Sequence, residues 1–359
     1  MSNEGRDRGT NLGSSGKKGK KPRFGAHMSV ARGLENAFGA GAAVGCDCLQ
    51  IFVKNQRQWR AGPLTDEQVA RFHEARSAAG LAPVIAHASY LLNLASPSDA
   101  TRAMSVNAMV DELTRCEALG VDFLVFHPGA HMNSEVRSAK FEDRNQSRER
   151  KRADHPNRNR EGEESLLPIT DFQLPIGLPA NRPDDDPAVI GGIERIASAL
   201  DEVHRRCAGF RTMVLLESTA GQGTAIGWHF GQLAAVLDRV RKSDRLGVCL
   251  DTCHLFAAGY DFRTVEDYAA MIDELDRTVG LSRVRCIHIN DSKRELGSRV
   301  DRHEHIGKGR IGKAGFAHFV NDPRFVEVPF ILETPKGKDG RGTDLDKVNL
   351  KRLRSLIVD

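Results

Sequence analysis

The sequence predicts a (β/α)8 barrel of the TIM type, on three observations. From residue 23 onward, strand-like apolar segments alternate with helix-like segments in eight successive units. The strand-like segments are continuous apolar runs, which is typical of parallel strands that are buried on both faces. Seven of them end in a residue that can bind a metal or hydrogen-bond a phosphate, namely His27, His87, His127, Glu217, Asp251, His288 and Glu333. Since active sites of such barrels lie at the C-terminal ends of the strands, these residues also predict where the site is.

The eight units follow one another along the chain. Strands are predicted near residues 23–27, 46–53, 82–87, 121–127, 212–217, 245–251, 284–290 and 328–333. Helices are predicted near residues 30–42, 65–79, 98–118, 189–206, 228–241, 264–278, 314–320 and 343–356. Alternation of this kind implies a parallel sheet with covering helices, and eight units suggest closure into a barrel.

Two stretches lie outside this pattern. Residues 1–22 are poor in apolar side chains and contain four lysines between Lys17 and Lys21, so we predict a disordered basic tail. Residues 133–165 are about half charged and 166–188 carry five prolines. We therefore predict one barrel domain, 23–359, that a disordered insertion over 133–188 interrupts after the fourth strand. The insertion is either a tolerated solvated segment or a mobile basic flap over the substrate. The tail either has no role or acts as a weak phosphate-attracting segment or a nuclear signal.

Composition excludes several classes of protein. The chain has 359 residues, of which 40% are hydrophobic, and no apolar run approaches the roughly 18 residues that span a bilayer. The polar, glycine-rich start does not resemble a secretory signal. The seven cysteines are scattered without a CxxC pair, which indicates reduced thiols in a cytosol-like compartment. A net charge of +4 is compatible with a polyanionic partner without identifying one.

Nine candidate ligands indicate a metal centre, because neutral imidazole and carboxylate oxygen suit zinc and similar ions. The candidates are His87, His127, Glu217, Asp251, His254, His288, Asp301, His303 and Glu333. Any one of them alone has an ordinary structural explanation, but this many ionisable groups on one rim are costly to bury without metals. With three ligands per ion and some carboxylates shared, the set suits two or three ions.

Several ions in one site favour phosphoryl chemistry. Metal-dependent barrels also isomerise sugars, so the ligands alone do not fix the substrate. Two loops on the same face narrow the choice. Residues 54–59 are rich in hydrogen-bond donors and end in Trp59. This composition suits contacts to DNA phosphates and grooves, and the alternative is a polar loop that Trp59 anchors. Residues 89–94 carry Tyr90 and three leucines, which either wedge into a base stack or pack on the next helix.

Long motifs in the chain resemble the endonuclease IV family, the zinc-dependent apurinic/apyrimidinic (AP) endonucleases also called AP endonuclease family 2. The resemblance covers residues 24–131 and about 189–335. It rests on the stretches GAHMS (25–29), KNQRQW (54–59), HASYLLNL (87–94), FHPGAH (126–131), ESTAGQG (217–223), GVCLDTCHLFAAGY (247–260), HINDS (288–292) and GSRVDRH (297–303). The insertion over 133–188 departs from the compact family pattern.

This resemblance implies three zinc ions in a TIM barrel. The first would be held by His87, His127 and Glu217. Glu217 would bridge to the second ion, which Asp251, His288 and Glu333 complete. The third would be held by His254, Asp301 and His303.

The resemblance also implies a substrate and a reaction. The partner would be double-stranded DNA with abasic sites, which Arg57, Tyr90 and Leu91 enter at the lesion, with His27 and Gln56 as further DNA contacts. The reaction would hydrolyse the phosphodiester 5′ to the abasic site, with Glu217 and Glu333 as catalytic carboxylates and Glu333 orienting or deprotonating the attacking water. The resemblance further implies that the enzyme trims blocked 3′ ends and is a monomer. Its expected location is cytoplasmic and nucleoid-associated, or nuclear in a eukaryote. The alternatives are a metal-dependent sugar isomerase or epimerase and a non-catalytic nucleic-acid binder.

Overall fold

A closed parallel barrel of eight strands forms the centre of the molecule, whose computed structural model describes residues 21–131 and 186–358. The barrel strands are β1 (Phe24–His27), β2 (Cys48–Ile51), β3 (Val84–His87), β4 (Phe123–Phe126), β5 (Met213–Glu217), β6 (Leu246–Asp251), β7 (Val284–His288) and β10 (Phe330–Leu332). The order around the barrel is β1-β10-β7-β6-β5-β4-β3-β2, and β10 closes it against β1 in the register Phe24↔Phe330. The predicted fold class is confirmed, since each predicted strand contains one barrel strand.

Helices follow the strands and cover the barrel from outside. Within the described ranges they are α1 (Asn36–Val44), α2 (Asp66–Ala79), α3 (Asp99–Leu119), α4 (Pro187–Arg206), α5 (Phe230–Arg239), α6 (Thr252–Ala258), α7 (Val265–Thr278), α8 (Gly312–Asn321) and α9 (Leu345–Arg354). Their ends are encoded locally. Thr65 and Gln68 form a capping box at the start of α2, and Gly80 ends it in the left-handed conformation that glycine adopts without strain.

Two features at the C-terminal mouth were not predicted as separate elements. Helix α6 begins directly after β6, where the Asp251 carboxylate accepts a hydrogen bond from the main-chain N–H of His254 at 2.8 Å. A short antiparallel pair, β8 (Asp291–Ser292) and β9 (His303–Glu304), lies between β7 and α8. Both features bring further histidines to the mouth.

The barrel interior below the mouth is apolar. One layer consists of Cys48, Ile85, Val125, Leu215, Cys249, Cys286 and Ile331, all fully buried. All seven cysteines are buried and free, in agreement with the prediction of reduced thiols. In the described part of the chain, no helix is long and apolar enough to cross a membrane.

The predicted tail and insertion lie almost wholly outside the described residues. Helix α4 begins at Pro187 and Asp186 caps it, its carboxylate accepting the Ala188 N–H at 2.8 Å. The helix predicted near residues 189–206 therefore begins two residues earlier than predicted. A proline at the first helical position supports this start, because its missing N–H would have no helical partner there.

We expect Gly25→Ala to destabilise the barrel. A Cβ at Gly25 would lie 2.2 Å from the main-chain oxygen of Cys48 on the neighbouring strand, and overpacking of this kind costs about 1–3 kcal/mol. Gly39→Ala is the matched control, since nothing lies within 4 Å of a Cβ at this exposed position in α1. It should stabilise the protein by up to ~1 kcal/mol. Urea unfolding of both variants measures the difference, and equal effects would contradict the prediction.

Candidate metal centre

Six barrel strands deliver the candidate ligands to one mouth. His87, Glu217, Asp251 and His288 are the last residues of β3, β5, β6 and β7. His127 and Glu333 follow β4 and β10 by one residue. Because the strands are parallel, their C-terminal ends converge, and residues far apart in sequence become neighbours.

The first group consists of His87, His127 and Glu217. The Oε2 atom of Glu217 lies 3.0 Å from His87 Nε2 and 3.2 Å from His127 Nε2. The three ligand atoms are all within 4.8 Å of one another, so all three could bind one ion. His87 and Glu217 are buried, whereas His127 is partly exposed.

The second group uses the other oxygen of the same carboxylate. Glu217 Oε1 lies 3.1 Å from His288 Nδ1, which is also 3.3 Å from Glu333 Oε2. Asp251 completes the group, with its Oδ2 atom 3.9 Å from the same nitrogen. Glu217 therefore faces two neighbouring groups with its two oxygens, which is the arrangement that a bridging carboxylate requires.

The third group consists of His254 on α6, Asp301 in the loop before β9, and His303 at the start of β9. Asp301 Oδ2 lies 3.3 Å from His254 Nε2, and Asp301 Oδ1 lies 3.3 Å from His303 Nε2. The His303 Nε2 atom is buried without a hydrogen-bond partner among the described residues. A buried, unpartnered imidazole nitrogen that faces a carboxylate is what a metal site predicts, and the nitrogen and oxygen donors of all three groups fit zinc.

Side chains that sequence reasoning missed orient these groups. Gln50 of β2 donates to Glu333 Oε1 at 2.6 Å, and its oxygen pairs with His288 Nε2 at 2.8 Å. Asn290 donates to Asp251 Oδ2 and accepts from the main-chain N–H of Glu333, both at 2.7 Å. Such partners fix the orientation of ligand side chains. A signal for Gln50 was present, because it is the one polar side chain among the four residues of β2.

Three buried cysteines also lie next to the ligands. The thiols of Cys249 and Cys286 lie within 4.8 Å of a ring nitrogen of His288. The thiol of Cys253 lies within 4.8 Å of ligand atoms of Asp251 and His303. Sequence reasoning treated these cysteines as core residues. Their position two residues before or after a ligand was the signal available.

The imidazoles and carboxylates of the centre stabilise one another's charged forms and so shift one another's pKa. Burial alone would raise the pKa of Glu217, but the imidazoles of His127 and His288 hold it well below its usual value. Conversely, burial opposes protonation of His254 and His288, yet the surrounding carboxylates raise the pKa of both well above the usual 6.5. Without metal, the cluster is thus stabilised by imidazolium–carboxylate pairs.

We expect zinc uptake by the metal-free protein to release protons. The raised pKa of His254 and of His288 favours their protonated rings, whereas coordination requires the neutral ring. Zinc binding to the second and third groups should each release about one proton and acidify a weakly buffered solution, whereas zinc added to metal-loaded protein should not. Because the raised pKa increases protonation as the pH falls, apparent zinc affinity should fall with pH. Zinc uptake near neutral pH without acidification would contradict this expectation.

The loops after β2 and β3 each expose one of the predicted DNA-contacting side chains. Tyr90 is 57% exposed, with its ring centroid 5.1 Å from that of His87, and the Arg57 side chain is also exposed. Tyr90 is thus more than half exposed, whereas Leu92 and Leu94 are buried in the core. A cavity of about 290 Å³ lies beside Tyr90, and its lining includes Leu91, Asn93, His127, Gln222, His254 and Asp301.

The predicted phosphate-contacting role of the 54–59 loop is wrong for Lys54. Its side chain is 2% exposed and pairs with Asp111 at 3.1 Å and Glu112 at 3.3 Å, so burial beside carboxylates withdraws it from the surface. Trp59 packs against the core, as the alternative of an anchoring Trp predicts.

Of the other two predicted DNA contacts, only His27 is shown to lie beside the centre. Gln56 is half-buried. His27 lies 3.5 Å from Glu333 Oε1 and belongs to none of the metal groups formed by the described residues.

Fold and site together define a xylose isomerase-like TIM barrel with clustered metal-binding groups at its mouth, and a family model of that description matches residues 38–155 and 169–356. "Probable endonuclease 4" of Chloroflexus aggregans is 44% identical over 336 residues, which are 94% of this chain and 98% of that relative. Its namesake in Geobacter sulfurreducens is 41% identical over 93% of this chain and 94% of the relative. The chain belongs to the endonuclease IV family and is thus a nuclease.

Solved structures agree with this assignment. Endonuclease IV from Thermus thermophilus superimposes with a TM-score of 0.68 at 32% identity, covering 93% of this chain and 98% of that one. A D-tagatose 3-epimerase-like protein has a TM-score of 0.60 at 16% identity, over 93% and 96% of the two chains, which is a likeness of fold alone. Within the predicted insertion, only residues 156–168 lie outside the family match.

Proposed function

We propose that this protein is a zinc-dependent AP endonuclease of base-excision repair. It hydrolyses the phosphodiester 5′ to an abasic site and leaves a 3′-hydroxyl and a 5′-deoxyribose phosphate. The observation that carries the proposal is that three potential metal groups lie together at one mouth beside an exposed Tyr90, and that the first two of them share the two oxygens of Glu217. The endonuclease 4 relatives support the same reaction class.

Three zinc ions are proposed as the cofactor. His87, His127 and Glu217 would hold the first, Glu217 with Asp251, His288 and Glu333 the second, and His254, Asp301 and His303 the third. Bound zinc supplies charge neutralisation at the phosphate and lowers the pKa of a coordinated water.

Glu333 is the proposed proton acceptor. Its side chain is 11% exposed, so it faces the open mouth, and Gln50 holds its Oε1 atom at 2.6 Å. The charge of protonated His288 and the hydrogen bond from His27 outweigh the burial of this carboxylate and hold its pKa well below the usual value. When His288 is neutral on zinc coordination, the charge of the ion would favour the ionised carboxylate in its place. An ionised, fixed carboxylate can orient the attacking water and accept its proton. The function of Glu217 is to hold two ions at a fixed separation.

The abasic nucleotide is recognised by the loops above the centre. Arg57, Tyr90 and Leu91 would enter the duplex at the lesion, with His27 and Gln56 near the phosphate. A missing base removes stacking, so extrusion of the nucleotide costs least there. The cavity of about 290 Å³ between Tyr90, His127 and Asp301 offers space for the extruded deoxyribose. The enzyme acts as a monomer on double-stranded DNA in this proposal.

An end-labelled duplex with one abasic site tests the proposal. We expect a single cut 5′ to the lesion, no cut in an intact duplex, and loss of cutting after prolonged chelation. A nicked duplex with a 3′-phosphate tests the proposed trimming activity. A protein that holds about three ions and cuts neither duplex would contradict the proposal. Epimerisation of a ketose by that protein would instead support the sugar-isomerising alternative, to which the shared fold points.

A further inference from the structure

A buried ion cluster lies directly beneath the two exposed loops. Lys54, in the loop after β2, pairs with Asp111 at 3.1 Å and with Glu112 at 3.3 Å. Both carboxylates belong to α3, and the side chains of Lys54 and Glu112 are only 2% and 1% exposed. Lys54 also donates to the main-chain oxygen of Trp59 at 3.3 Å, which ties the far end of its own loop to the same cluster.

Ser89 connects this cluster to the second loop. Its main-chain N–H faces both carboxylate oxygens of Glu112, at 3.3 and 3.2 Å. Its hydroxyl donates to the main-chain oxygen of Gln56 at 2.6 Å and accepts the N–H of Leu91 at 3.2 Å. One small side chain thus joins the residue before Arg57 to the residue after Tyr90.

A second contact from α3 supports the first loop. Arg115 pairs with Asp111 at 3.1 Å and donates to the main-chain oxygen of Ala61 at 3.3 Å, and to that of Gly62. The helix therefore holds the loop after β2 at Lys54 and at residues 61–62, and Lys54 in turn holds Trp59. Buried charges carry a desolvation cost that makes them a weak source of net stability, which favours a role in fixing geometry.

We infer that Lys54, Ser89 and Glu112 are positioning residues that hold Arg57 and the Tyr90–Leu91 pair as one rigid wedge, which opens the duplex at the lesion. The inference rests on the proposed function. None of the three belongs to a metal group of the described residues, so their contribution is to recognition of the duplex and not to hydrolysis. A wedge that is already ordered loses less conformational freedom on binding.

Ser89→Ala tests the inference without leaving a buried charge unpaired. The test compares kcat/KM on two duplexes, one with the abasic site fully paired around the lesion and one with the site in an unpaired bubble. We expect a loss of about tenfold on the paired duplex, through KM, and an unchanged value on the bubble, where no opening is needed. Metal content should not change, and Ser89→Thr, which keeps the hydroxyl, should restore cutting of the paired duplex.

Thr212→Val is the matched control. Thr212 is buried, and its hydroxyl donates to the main-chain oxygen of Val121 at 2.9 Å at the opposite end of the barrel. Equal losses of Ser89→Ala on both duplexes, no loss on either, or the same selective loss in Thr212→Val would overturn the inference. If the unsubstituted protein cuts neither duplex, the proposed function fails and this inference fails with it.

Discussion

Glu217→Gln should lower the cleavage rate on abasic DNA by at least about 10³-fold, because metal-ion catalysis supplies several kcal/mol and each 1.36 kcal/mol is a factor of ten. The side chain keeps its shape but loses the charge that faces imidazole nitrogens of His87 at 3.0 Å and His288 at 3.1 Å. An amide cannot bridge two cations as a carboxylate does. We therefore also expect fewer than three ions per chain in metal analysis.

A matched control separates this effect from a general loss of stability. Asp322→Asn removes a charge from another buried carboxylate, which accepts from Tyr268 at 2.8 Å and lies outside the metal groups of the described residues. Its cleavage rate per folded molecule should remain close to that of the unsubstituted protein. Near-normal cleavage by Glu217→Gln with a full metal complement would refute the bridging role.

Asp301→Asn should remove one ion and lower cleavage by at least about a hundredfold, since even the partners that orient ligands are worth 10–100-fold. Asp301 is the residue that contacts both histidines of its group, at 3.3 Å each. The first two groups do not include it. We expect metal analysis to show two remaining ions and residual, slow cutting at the same bond.

This variant also discriminates between the candidate reactions. A sugar isomerase or epimerase has no obvious need for the third group, so Asp301→Asn would leave such an activity largely intact. Asp261→Asn is the control, because Asp261 pairs with Arg263 on the loop after α6 and belongs to no metal group among the described residues. Retention of three ions and full cleavage by Asp301→Asn would exclude the proposed third site.

The barrel was predictable because the strands are short apolar runs and seven of the eight predicted strands end in a polar residue. In β6, for example, six buried residues end in Asp251, so strand, burial and ligand appear in one motif. The grouping of the nine candidate ligands was implied only by family resemblance. Glu217 at the end of β5 and Asp301 in the loop before β9 are brought into neighbouring groups by the tertiary fold, which local patterns do not encode.

Other parts of the site could not be predicted for physical reasons. Lys54 was expected at the surface, but its partners Asp111 and Glu112 lie on α3, more than fifty residues away. Asn290 orients Asp251 and Glu333 across three strands, and nothing near it in the sequence indicates this. The start of α4 was placed two residues late because Asp186 and Pro187 resemble the preceding proline-rich stretch.

Closure of the barrel by β10 has a consequence for how the protein is made. During synthesis this strand leaves the ribosome last of the eight and must insert between β1 and β7. Until then Glu333 is absent, and Gln50 and His288 lack the neighbour that they share. A stalled or truncated chain would therefore lack the proposed proton acceptor, so we expect the chain to stay inert until its last strand is in place.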